Sequence, residues 1–273
     1  MAILDDYDDE AIAACKSVMV EVLTILGKHR EHLVIIGGWV PPLLFGEGDH
    51  IGSIDVDLAV DWRAVPNYVY ETIKNKLRGR EYHQEPDDPP NRFRRVVKRG
   101  GDAYTIRVDI ITGADDQQRD QTHRVVQGMP VWCARGVSVA LDHFIETKVT
   151  GTLPGGGENE VSVRVATAGA LLVMKGMALN ERMKEKDAYD VYYCCLRHPK
   201  GMDGLADELR ELLEEPVVTE SLHHIRDKFA TIESVGPVWA ARVVRDDGGD
   251  YEVARRDAFE RVRTLLVKLG IIQ

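Results

Sequence analysis

Between Leu33 and Asp61 the chain reads LVIIGGWVPPLLFGEGDHIGSIDVDLAVD, and this stretch constrains the fold more than any other. The apolar run Leu33-Val34-Ile35-Ile36 predicts a buried strand, closed by Gly37-Gly38. After a turn rich in Gly and Asp comes Ser53-Ile54-Asp55-Val56-Asp57-Leu58. Alternate residues of a strand share a face, so Ser53, Asp55 and Asp57 point one way and Ile54, Val56 and Leu58 point into a core. Two carboxylates side by side repel and raise each other's pKa unless a cation lies between them. Hard oxygen ligands set this way suit magnesium.

Helical spacing of Ile12, Val18, Val22, Ile25 and Leu26 predicts a helix over about 8–29. Pro41-Pro42 suits a first helical turn, so a short helix is expected through Leu43-Leu44-Phe45. Residues 46–49 read as a loop, Ile54 to Val60 as a strand, and Pro66 to Arg78 as a second helix. A loop at Glu85–Asn91 precedes two strands, Phe93 to Lys98 and Tyr104 to Ile111, joined at Gly100-Gly101-Asp102. The second of these strands carries a lone carboxylate, Asp109. Val131 to Ala140 and Glu160 to Val165 also read as strands, with a loop at Leu153–Gly157. From Thr167, a fair N-cap, helical patterns dominate: about 168–181, 185–197, 203–214, 219–231 and 250–269. A mixed α/β part (1–165) followed by a helical part (166–273) is the expected organisation.

The chain has 273 residues, 44% hydrophobic and 29% charged, the balance of a globular protein with a sizeable core. Its net charge of -10 argues against a surface that binds nucleic acid all over, but leaves room for a local basic cleft. Cys15, Cys133, Cys194 and Cys195 have no zinc-ligand spacing and read as free thiols. The first residues, MAILDDYDDE, lack the pattern of a signal peptide, and no apolar run approaches the roughly 18 residues of a membrane span. The expected location is cytoplasmic, with no membrane partner.

Three groups of residues carry candidate chemistry. Asp55 and Asp57 on one strand with Asp109 on a neighbouring one could hold two divalent cations about 4 Å apart, clamp a nucleoside triphosphate and activate a hydroxyl for in-line attack at phosphorus. Gly37-Gly38 after a strand lets backbone N–H groups approach phosphate, and Ser53 could donate to a phosphate oxygen. In LLVMKGMALNERMKEKDAYD, Lys175 and Arg182 lie seven apart, and Asp187 and Asp190 three apart, so each pair shares a helical face. Each group also has an ordinary structural reading as a solvated strand face, a tight turn or a charged helix.

In order along the chain, these motifs resemble the nucleotidyltransferase fold of the DNA polymerase β superfamily. The closer resemblance is to the AbiEii/AbiGii toxin family, which includes the mycobacterial MenT toxins. Its carrying residues are Gly37-Gly38-Trp39, His50-Ile-Gly-Ser-Ile-Asp-Val-Asp-Leu58, Val108-Asp109-Ile110, Lys175-Gly-Met-Ala178 with Arg182, and Lys186-Asp187-Ala-Tyr-Asp190. The match runs from about residue 30 to 195, and the last 75 residues carry no motif of it. The resemblance implies an α+β fold, a mixed sheet with flanking helices, and a helical C-terminal domain completing an active-site cleft.

It also implies roles. Gly37, Gly38, Ser53, Lys175 and Arg182 would bind the nucleotide, Asp55 and Asp57 would hold magnesium, and Asp109 would hold metal and activate the acceptor. Asp187 or Asp190, the first preferred, would serve as the later acidic residue. The implied reaction moves a nucleoside monophosphate from an NTP, with two Mg2+ ions, to the 3′ end of tRNA, as a toxin with a cognate antitoxin or in phage defence. Arg92, Arg94, Arg95, Lys98 and Arg99, five cations within 92–99, are the candidate acceptor-binding patch. Two alternatives stay open: nucleotidylation of a small molecule such as an antibiotic, or of a protein, which the acidic charge fits better; and a catalytically silent protein of the same fold that binds a partner.

Overall fold

The structure is a computed structural model. It describes residues 7–46, 50–61, 69–114, 123–126, 129–182 and 184–273, without the side chains of 69, 70 and 123–131. Residues 47–49 of the expected loop and 66–68 of the expected second helix lie outside the described residues. The chain divides into two compact units. Among the described residues one comprises 7–43 together with Gly52–Ala166, the other 50–51 and Thr167–Gln273 with 44–46.

The first unit opens with helix α1 (Asp9–Leu26). The Asp8 carboxylate caps it, accepting a hydrogen bond from the Ala11 N–H at 2.6 Å, and Asp9 and Glu10 lie in its first turn, where the helix dipole favours anions. A 3-10 stretch leads into β1 (Leu33–Ile36), buried along its whole length, and a second 3-10 turn, Gly37–Trp39, leads into α2 (Val40–Phe45). Strand β2 (Asp55–Val60), helix α3 (Val69–Arg78) and the hairpin β3 (Arg92–Arg99) and β4 (Asp102–Gly113) follow. Gly100 and Gly101 both take positive φ at the hairpin turn.

Beyond lie β5 (His123–Val126), β6 (Met129–Ala134), α4 (Val137–Asp142), β7 (Phe144–Thr152) and β8 (Glu158–Ala166). Among the described residues these strands form one mixed sheet in the order β5-β6-β4-β2-β1-β8-β7. β3 pairs with β4 outside that path. β1 runs antiparallel to β2, and β2 runs parallel to β4.

Alternation separates the faces of the sheet. Val56, Leu58, Phe93, Val97, Ile106, Val108 and Ile110 are buried on the face that α1 crosses. On the opposite face α4 covers one end, where a Cβ at Gly113 would meet the Ser138 backbone. The strand expected over Val131 to Ala140 is therefore corrected. It stops at Ala134, Gly136 takes a left-handed conformation, and Val137–Asp142 turns helical. The β-branched residues there suit a strand, but a Gly at positive φ ends the ladder and the short helix buries Val137 and Val139 instead.

The second unit contains α5 (Ala168–Glu181), α6 (Glu185–Arg197), α7 (Gly201–Arg210), α8 (Pro216–Lys228), α9 (Val235–Asp246) and α10 (Tyr251–Lys268). Thr167 caps α5 by accepting from the Ala170 N–H at 3.3 Å. α5 is apolar nearly all round and packs on α6, α7 and α8. Helix α9 lies outside the helical ranges expected from the sequence; Gly236 and Pro237 fall in its first turn, where Pro is tolerated. The α+β class, with a mixed sheet, flanking helices and a helical C-terminal part, is the one expected from the sequence.

All four cysteines are free and buried. Among the described residues no helix is long and apolar enough to cross a membrane.

At the α5–α8 contact a Cβ on Gly176 would collide with Ser221 Oγ and lie 2.6 Å from its carbonyl oxygen. The Ser221 hydroxyl itself donates to the Val173 carbonyl at 2.8 Å. Gly176→Ala should therefore cost about 1–3 kcal/mol by overpacking, a fall of several degrees in melting temperature. Gly155→Ala, with open space around it, serves as the control. Equal melting temperatures for the two variants would contradict this packing.

Candidate functional site

The register of β2 on β4 builds the first cluster. Asp57 lies opposite Asp109, and Asp55 opposite Arg107. β3 adds Arg92 opposite Asp109 and Arg94 opposite Arg107. Residues directly opposite share a face, so Asp55, Asp57, Arg107, Asp109, Arg92 and Arg94 all stand on the face away from α1. Two of the carboxylates hold guanidinium groups in two-bond forks. Arg107 donates to both Asp55 oxygens at 2.7 Å. Arg92 donates to Asp109 at 2.8 and 2.7 Å.

Gly37 adjoins Asp57. It sits at φ 72°, where a side chain is strained, and a Cβ there would collide with the Asp57 carboxylate. The turn it begins is fastened to α1 by the Trp39 indole, which donates to Cys15 Sγ at 3.2 Å in the core. Burial, opposed by that hydrogen bond, pushes the Cys15 thiol far above its usual range, so it stays neutral. Gly38 is buried within the same turn. Ser53 precedes β2, is buried, and donates to the Asp55 carbonyl at 3.1 Å.

The second cluster lies within the helical unit. Lys175 of α5 meets Asp187 at 2.8 Å and Asp190 at 2.6 Å, both on α6. The premise that Arg182 shares a helical face with Lys175 is corrected: α5 ends at Glu181, and Arg182 is extended. It still reaches Asp187, donating at 2.9 and 3.0 Å. Asp190 is fully buried and also receives Lys186 at 3.1 Å and His50 Nε2 at 2.9 Å.

The electrostatics follow from these partners. Burial opposes the charge on Lys175, yet Asp187 and Asp190 hold its ammonium above the ordinary lysine range. Burial likewise opposes the charge on Asp190, and Lys175, Lys186 and His50 overcome it, keeping the carboxyl well below its usual range. Burial, reinforced by Lys186, pushes His50 down to about 4 despite its bond to Asp190. Neutral His50 thus donates from Nε2 to the Asp190 anion, its ring against Tyr189 and Tyr193. Sequence reasoning left His50 inside a motif without a role; an isolated His gives no sign of a buried partner 140 positions away.

The five hairpin cations do not form one patch. Arg92, Arg94 and Lys98 alternate onto the carboxylate face. Arg95 and Arg99 alternate onto the α1 face, where Arg95 bonds Glu21 at 3.0 Å and Arg99 bonds Glu10. Arg94 forks onto Asp88 at 2.7 Å.

The carboxylates of the sheet face have the hard-oxygen chemistry that a divalent cation takes. The face offers three carboxylates on adjacent strands, and two of them already present both oxygens to a positive group on that face. Among the described residues no three such groups converge on one point, so the forks would have to open for a cation to be shared.

Two measurements check the buried cluster. The folded chain keeps His50 neutral to about pH 4, whereas the unfolded chain protonates it near 6.5. The unfolded state therefore binds more protons in that window, and stability falls as pH falls from 6.5 to 4. His50→Gln should flatten that slope in pH-dependent denaturant melts, and an unchanged slope would assign it to other groups. Lys175→Ala leaves two buried carboxylates short of a partner and should cost about 3–5 kcal/mol by the same melts.

No protein-family model matches the chain, and no curated protein does. Among solved structures it is similar to an H. pylori protein described as a presumed nucleotidyltransferase, at 14% identity and a TM-score of 0.44, covering 96% of this chain and 97% of that one. A likeness so distant carries no argument about function.

Proposed function

We propose that the chain is a magnesium-dependent nucleotidyltransferase, moving a nucleoside monophosphate from an NTP to an acceptor hydroxyl. One observation carries the reading: Asp55, Asp57 and Asp109 stand together on one sheet face, beside a Gly37 turn that tolerates no side chain against Asp57. Asp55, Asp57 and Asp109 would hold magnesium, which when bound supplies charge stabilisation at the transferring phosphoryl group. The Gly37-Gly38 turn brings backbone close to that face, as phosphate binding requires. Asp109 is the group to accept the acceptor's proton. Lys175, held charged by Asp187 and Asp190, is assigned to nucleotide phosphates, with Arg182 beside it.

The acceptor we assign first is the 3′ end of tRNA, in the setting of a toxin paired with an antitoxin or of phage defence. This assignment rests on the sequence resemblance. A small-molecule or protein acceptor is favoured by a different observation: Arg94, Arg95 and Arg99 are each bonded to a carboxylate, which reduces the positive field an RNA would need.

Incubating the protein with magnesium, each labelled NTP and total tRNA separates these readings. Label should enter RNA, and Asp57→Asn should lower the rate on the order of 10²-fold or more while melting like the parent. Label on protein, or on an added aminoglycoside, would move the acceptor to the second class. No transfer and no NTP binding would sink the enzyme reading and leave a silent binding protein.

A further inference from the structure

On the carboxylate face, arginines alternate with aspartates across the strands. Arg107 lies directly opposite Asp55, and Arg92 directly opposite Asp109. Each guanidinium takes both oxygens of its aspartate at 2.7 to 2.8 Å, the oxygens a divalent cation would use. Neither pair is sealed in the core: the Arg107 and Asp55 side chains are 38% and 29% exposed, and those of Arg92 and Asp109 26% and 13%. Both pairs are therefore open to solvent, so a cation arriving from solution can reach the same oxygens without the strands parting.

Both arginines also have somewhere to go. A cavity of about 260 Å³ is lined by Asp55, Arg94, Tyr104, Thr105 and Arg107. A second, of about 630 Å³, is lined by Arg92 and Arg94 with His83, Asp88 and Thr105. A guanidinium released from its aspartate could turn into that space while its backbone stayed in the sheet. Arginine cannot lose its charge at working pH, so it competes with a cation by position, not by titration.

We infer that Arg107 and Arg92 are built-in competitors of the divalent cation, holding Asp55 and Asp109 until the metal displaces them. The arginines are then positioning residues that set the metal affinity of the face. They keep its carboxylates from repelling one another before the metal arrives, and they weaken metal binding by the strength of the forks plus the repulsion of a cation placed nearby. This inference rests on reading the face as a metal site.

The test measures Mn2+ binding to the full chain without nucleotide, by the loss of the free Mn2+ paramagnetic signal. Arg107→Gln and Arg92→Gln should each bind Mn2+ about three- to tenfold more tightly than the parent, the range expected for removing one partly exposed pair. Arg107→Lys, which keeps the charge but loses the fork, should fall between. Equal or weaker binding in both Gln variants would overturn the competition while leaving the metal site standing. No Mn2+ binding in the parent or in any variant would overturn both readings, whereas binding in the variants alone would support competition in its strongest form. Should the variants fold poorly, the parent suffices: titration with Mg2+ should shift the Arg Nε–H resonances of the two forked arginines in its NMR spectrum. Resonances that stay fixed while Mg2+ binds would overturn the inference.

Discussion

The contact between Gly37 and the Asp57 carboxylate is the constraint on which the sheet face depends. It fixes where β1 ends, because a residue with a side chain could neither adopt φ 72° comfortably nor leave room for the carboxylate. Ile36 is paired with Asp57 in the antiparallel ladder, so the turn begins directly beside the acid. From Asp57 the parallel register passes to Asp109, and from Asp109 the hairpin register passes to Arg92. The close approach of backbone to carboxylate fixes Asp57, and the strand registers relate the other charged groups to it.

The helical unit solves a different problem, that of keeping charge inside a core. Two carboxylates and the Lys175 ammonium are buried within α5 and α6, with partly exposed Lys186, Arg182 and neutral His50 completing their hydrogen bonds. Such a cluster contributes little net stability compared with apolar packing, yet losing one member is costly because its partners stay buried. Its worth lies in fixing Lys175, which is 8% exposed and bonded to both aspartates. The two acids are not equivalent. Asp190 is enclosed by Lys175, Lys186 and His50, whereas Asp187 shares its oxygens with Arg182, whose side chain is half exposed. The sequence spacing alone leaves them interchangeable; geometry makes Asp190 the anchor and Asp187 the one nearer solvent.

Much of the fold is legible because the local signals agree with the tertiary structure. The run at Leu33–Ile36, the alternation at Asp55–Leu58, the Gly100-Gly101 turn and the cap at Thr167 each have a short-range cause. The misreadings arise where tertiary packing overrides the pattern. Val137–Asp142 is β-branched yet helical, because Gly136 turns the chain onto the Gly113 end of β4. β7, Phe144–Thr152, carries polar residues through most of its length and takes its place from pairing with β8. Of the candidate residues, the acids of β2 and β4 share a face because a period of two is legible in any strand. The hairpin cations separate for the same reason: five basic residues in a run look like a patch only if alternation is ignored. What no sequence pattern could show is that Arg107 takes Asp55, since that depends on the register between β2 and β4, strands 52 residues apart at this pair.

That register explains how an acidic chain can carry an arginine-rich hairpin without either group acting alone. A slip of one residue between β2 and β4 would set Asp57 opposite Val108 and turn Asp109 toward α1, into an apolar core. The cost of burying an unpaired carboxylate there forbids the slip. The apolar residues Val56, Leu58, Val108 and Ile110, fully buried beneath, thus hold the alignment of the acids above them. The charged face adds its own forks to this alignment, and those forks are partly exposed to solvent. Its geometry is set from the other side of the sheet, which leaves the carboxylates and guanidinium groups free to change partners without unfolding the strands that carry them.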